Sequence, residues 1–185
     1  DFSYEDLSKR NLQDDHYTFV KEENIGSDPC YVIEAISKDK SERLNRRIFW
    51  IRKDIKTGSM NLMLYELPYD AIKRSDSVVN TIIKVRDSIG EKYIPGPLEG
   101  SFMITENAYT PFHFETTLDN KPTLETKGLW DVKNAFMSGP FINYAIEDKT
   151  NNRWVIIEGF VFAPSVEKRD YMLELEAIIK SIKIK

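Results

Sequence analysis

RWVIIEGFVF, Arg153 to Phe162, followed after Ala163-Pro164 by SVEKRDYMLELEAIIKSI, Ser165 to Ile182, decides the fold. The first run is almost wholly apolar. It is too short for a membrane span and suits a strand covered on both faces. Gly159 inside it signals close backbone packing or a bulge. The second run places Tyr171, Met172, Leu175, Ile178, Ile179 and Ile182 on one helical stripe. Ser165 suits the N-cap, Glu167 and Asp170 the first turns, and Lys180, Lys183 and Lys185 the C-terminal end of the helix dipole. A central strand that feeds an amphipathic helix predicts a sheet with that helix laid across it.

Working outward, strand signals recur through the chain. His16–Ile25 and Pro29–Ser37 flank Gly26-Ser27-Asp28, a hairpin turn. Arg46–Lys53 and Ser59–Leu67 flank a turn at Asp54–Gly58. Ser101–Glu106, Pro111–Leu118, Thr123–Lys133 and Phe141–Glu147 follow, with turns at Asp119-Asn120, Ser138-Gly139-Pro140 and Asp148–Asn152. One earlier helix begins near Ser75 or Asp76 and carries Val79, Ile82, Ile83 and Ile89 on one face. Gly90 reads as its terminator, and Ile94-Pro95-Gly96-Pro97 cannot continue it. Consecutive strands on short turns give an antiparallel α+β fold with two packed helices, one domain over residues 1–185. Residues 1–55 form its N-terminal hairpin region.

Composition bounds the function. The chain has 185 residues, 26 basic and 30 acidic side chains and a formal charge of −4, which gives no footprint for nucleic acid. No apolar run reaches a membrane span. The single cysteine, Cys30, forms no internal disulfide, CxxC pair or Cys-rich zinc site, and its apolar neighbours suit a buried thiol. No cofactor or metal motif is present. The only histidines are His16 and His113, with no HExxH pair, and no GxSxG, GxGxxG or P-loop appears. Asp14-Asp15-His16 suits a solvated strand start better than a metal site. Asp148–Asn152 lacks the glycine of a calcium loop and suits a polar turn.

Three stretches remain as candidate sites. Trp130, Phe136, Met137, Gly139, Pro140 and Phe141 gather aromatic side chains about a turn. They suit a small apolar ligand site, or core packing beside a chain reversal. Lys38–Lys56 holds eight basic against three acidic side chains. Its Arg43, Arg46, Arg47, Arg52 and Lys53 suit an anionic partner or lipid headgroups, or else solvated strand edges. His113, between Phe112 and Phe114, is the one base for a hydrolase built from distant segments, or a strand histidine facing a polar neighbour. Arg86 and Arg169, each followed by Asp, suit ion pairs that anchor the helices.

Two resemblances bear on location. Phe49-Trp50-Ile51-Arg52, Leu62–Pro68, Arg86-Asp87-Ser88, Tyr93–Pro97, Gly128-Leu129-Trp130, Met137–Phe141, Glu158–Pro164, Lys168–Tyr171 and Leu175–Ile178 resemble a Bacteroidetes family of envelope lipoproteins with no assigned function. Phe2–Leu7, Cys30–Ala35 and Arg47–Ile51 are similar to the LolA-like outer-membrane lipoprotein-sorting proteins, over about residues 1–55. The strand–strand–helix ending resembles the Mog1/PsbP-like layout. These likenesses imply a periplasmic or envelope location, anchorage through a removed N-terminal lipid segment, and a lipid or envelope protein as partner. The expectation is a non-enzymatic binding protein, with a His113 hydrolase and a structural adaptor as alternatives.

Overall fold

A computed structural model describes residues 17–25, 28–36, 47–74 and 78–184, with side chains from Ile48 onward. Among the described residues nine strands form one antiparallel sheet: β1 (Tyr17–Ile25), β2 (Asp28–Ile36), β3 (Arg47–Ile55), β4 (Gly58–Pro68), β5 (Met103–Thr105), β6 (Phe112–Leu118), β7 (Lys121–Val132), β8 (Ala135–Asp148) and β9 (Arg153–Phe162). The spatial order is β1-β2-β3-β4-β9-β8-β7-β5, and β6 also pairs with β7. Helix α1 (Val78–Tyr93) carries the chain from β4 to the far edge; the remaining strands meander back to β9, and α2 (Arg169–Ser181) follows.

Strand alternation sorts the core into two layers. On one face, Met63, Tyr65, Leu67, Phe141, Trp154, Ile156 and Phe160 pack against Ile82, Ile89 and Tyr93 of α1. On the other, Tyr144, Ile146, Val155 and Ile157 pack with Ile179, while Met60 and Val161 pack with Leu175. Burying each such aliphatic side chain contributes about 1.5–3 kcal/mol, so both helices are held chiefly by this apolar area. Gly159 is the close approach its position suggests: an added Cβ would lie 3.2 Å from Leu175 Cβ.

Four local expectations are corrected. Gly90 does not end α1, which continues to Tyr93. Its missing side chain admits the backbone of β5, and a Cβ there would sit 2.0 Å from the Met103 carbonyl oxygen. Ser165 does not cap α2; it has φ 64°, and the helix starts at Arg169. Ile178 leaves the apolar stripe and is 38% exposed, whereas Leu175 and Ile179 are buried. The turn expected at Ser138-Gly139-Pro140 lies at Lys133-Asn134, with Asn134 left-handed at φ 63°. Residues 138–140 are strand, paired with Asp131, Trp130 and Leu129. Pro140 is tolerated because the β8–β9 pairing ends at Phe141–Phe160, so this arm of β8 carries its ladder on β7 alone.

Candidate binding surface

The hairpin shift divides the aromatic candidates between the two faces. Trp130 and Phe141 are core residues on the α1 face, with Trp130 edge-on to Phe160 at 6.1 Å. Gly139 is buried beneath the Trp130 ring, and Met137 packs on the same cluster. Phe136 points the other way and is wholly exposed, with half-buried Pro140 on its face. The six residues therefore do not enclose one site.

Phe136 instead shares a face with residues the sequence reading had not grouped with it. Alternation puts Phe112 and Phe114 of β6 and Leu129 of β7 on its face, and all three are exposed, Phe112 by 71% and Phe114 by 52%. Phe112 stands opposite Lys127, and Leu129 opposite Pro140. Helix α2 meets β7 through Lys127, whose ammonium bridges Glu125 at 2.8 Å and Glu176 at 3.2 Å. Those carboxylates raise the Lys127 pKa against the lowering effect of burial. At the β6–β7 turn, Lys183 meets Asp119 at 3.2 Å and the Ile184 amide donates to the same carboxylate. Phe112, Phe114, Leu129 and Phe136 thus stay exposed on the α2 face, along the outer strands. Scattered exposed apolar residues are ordinary; here three phenylalanines and a leucine share one face, spaced by Lys127 and by the Asp131–Ser138 pair.

His113 faces the opposite layer. Its Nδ1 lies 3.1 Å from Thr126 Oγ1, and Nε2 is buried without a hydrogen-bond partner among the described residues. Burial lowers its pKa, with Glu115 pulling the other way. Thr126 is fully buried, so its hydroxyl orients the ring and is screened from any substrate.

The same row across the sheet runs Thr126, Asn143, Glu158, Met63. Glu158 is the one carboxylate on β9, and Arg86 descends from α1 to meet it at 2.9 Å. Asn143 donates to its second oxygen at 2.9 Å. The guanidinium also donates to Thr105 at 2.9 Å and stacks 3.9 Å above the Phe141 ring, and Thr105 donates to Asp87. Burial pushes the Glu158 carboxyl above its ordinary range, against Arg86 and Asn143. Arg86 and Glu158 are each 2% exposed, so the pair anchors α1 and is closed to ligands. Arg169 opens α2 in solvent.

The basic stretch is also divided. Arg43 and Arg46 lie outside the described residues, and Arg47 opens β3. Arg52 and Lys53 point to opposite faces and are paired, with Asp54 at 2.8 Å and with Glu174 at 3.1 Å. Asp148 is likewise committed: Lys121, Arg153 and Asn151 all reach its carboxylate. Burial alone would raise its pKa, but these hydrogen bonds outweigh burial and hold it well below the usual range. The His16 reading lies outside the described residues.

Fold and surface define an antiparallel α+β domain with a helix on each sheet face and an uncovered aromatic corner. Residues 21–181 match the family model for a domain of unknown function, DUF4837, and the chain belongs to that family. No curated protein and no solved structure matches it. No helix among the described residues is long and apolar enough to cross a membrane.

Proposed function

We propose that the protein is a non-enzymatic binding module of the cell envelope, whose β6–β7–β8 corner receives an apolar partner surface or lipid. The observation that carries this reading is the strip Phe112, Phe114, Leu129 and Phe136, left exposed on the α2 face of the outer strands. Burying one phenylalanine of this kind contributes about 1.5–3 kcal/mol to association, which favours this strip over the charged remainder of the face. The geometry of His113 supports binding over hydrolysis, because its hydroxyl neighbour is buried. The envelope location rests on the sequence resemblance.

Benzoylphenylalanine placed at 136 or at 112 tests the reading in the native cell, with position 84 on the solvent side of α1 as control. Discrete adducts at 136 and 112, absent at 84, are expected, and their mass separates lipid from protein. No adduct, or equal labelling at all three positions, overturns it.

A further inference from the structure

The two edges of the sheet are built differently. The β1 edge has a register shift between Phe19 and Lys21 and carries Lys21, Glu22 and Glu23 in sequence, the usual devices that blunt an edge. The β6 edge has no such shift and a single charged side chain, Glu115. Its seven residues, FHFETTL, pair with β7 without a register shift and contain no lysine, proline or glycine. Among the described residues β7 is its only neighbour in the sheet. An open edge of β-forming residues presents backbone donors and acceptors that only another extended strand satisfies as a ladder.

We infer that the occupant is a second copy of this chain, with β6 paired antiparallel to the second copy's β6 about a two-fold axis at Phe114. The inference deepens the reading of this corner as a binding surface by naming the partner of its outer strand. The register follows from chemistry. With the axis at Phe114, the two Phe114 rings meet, Phe112 stands opposite the second copy's Thr116, and Glu115 opposite its His113. Aromatic cross-strand pairs stabilise, and like charges directly opposite destabilise. An axis at Glu115 would oppose two carboxylates. An axis at His113 would draw Pro111, which lacks an N–H, into the ladder. Glu115 is 73% exposed and pairs with Arg74 at 3.2 Å, on the face opposite Phe112 and Phe114. A two-fold perpendicular to the sheet keeps each helix layer on its own face, so the sheets continue into one.

Sedimentation of the full chain from low micromolar to millimolar concentration tests this. A rise from 21.6 kDa towards twice that mass is expected. Amide exchange at residues 112–116 should slow as the dimer forms. Phe114→Lys, at an exposed position, should weaken the dimer at least tenfold, while Leu173→Ser, exposed on α2 and away from the strip and the edge, should leave it intact. A monomer at every concentration overturns the inference, as does a dimer that Leu173→Ser weakens as much as Phe114→Lys. The crosslinks at position 136 report on the corner independently, so failure of the dimer and failure of the binding reading are distinguishable.

Discussion

Arg86 and Glu158 show what a single residue demands of its surroundings. A carboxylate in an otherwise apolar central strand cannot be left unpaired, and α1 supplies the guanidinium at 2.9 Å. Removing one partner of such a pair costs about 3–5 kcal/mol, whereas replacing both with apolar groups costs far less. Glu158→Leu should therefore destabilise strongly, and Glu158→Leu combined with Arg86→Met should be more stable than Glu158→Leu alone in urea unfolding. Additive losses would contradict the pairing. Asp148 makes a pH-dependent counterpart. Its folded pKa is depressed below the reference 3.8, so its contribution is present above that pH and lost as pH falls through the folded value. Asp148→Asn should be less stable than the parent at neutral pH, with the difference shrinking in acid; a constant difference would show the carboxylate uninvolved. Arg86 as a helix anchor was legible from the Arg86-Asp87 pair. Its true partner was also in view, since a lone Glu158 among apolar residues requires a counterion, but sequence alone does not say from which element it comes.

Elements were more legible than their exact joints. Period-two runs and the turns at Asp119-Asn120 and Asp148–Asn152 place most strands, because a half- or fully buried strand leaves its alternation in the sequence. The β7–β8 hairpin was misplaced because Gly139-Pro140 outweighs Lys133-Asn134 as a local turn signal. What overrides it is tertiary: a Cβ at 139 would sit 2.0 Å from the Val161 carbonyl oxygen of β9, and Pro140 lies beyond the last paired residue of the β8–β9 ladder. Gly90 failed for the same reason, being a helix residue pressed against β5. Intrinsic propensity favours alanine over glycine in a helix by about 1 kcal/mol. Here the Met103 carbonyl oxygen occupies the site, 2.0 Å from an added Cβ. Overpacking of this kind costs about 1–3 kcal/mol or more. Gly90→Ala should lower the thermal midpoint despite its better propensity, and a raised midpoint would show that α1 does not press on β5.

At the scale of the molecule, helices on opposite faces close two apolar layers and leave the outer corner of one face open. That α+β plan was legible because the strand–helix ending and the first helix both carry clear apolar faces. Of the four exposed residues only Phe136 was singled out in the sequence, and there beside Trp130 and Phe141, which lie on the other face. Phe112, Phe114 and Leu129 join it through strand pairing and through the limited reach of α2, neither of which a linear sequence displays. The central claim, that this corner is covered when the protein works, is tested most directly by hydroxyl-radical footprinting of Phe112, Phe114 and Phe136 in intact cells against the purified protein diluted to monomer. The account predicts strong labelling in isolation and marked protection of all three rings in the cell. Equal labelling in both settings would contradict it.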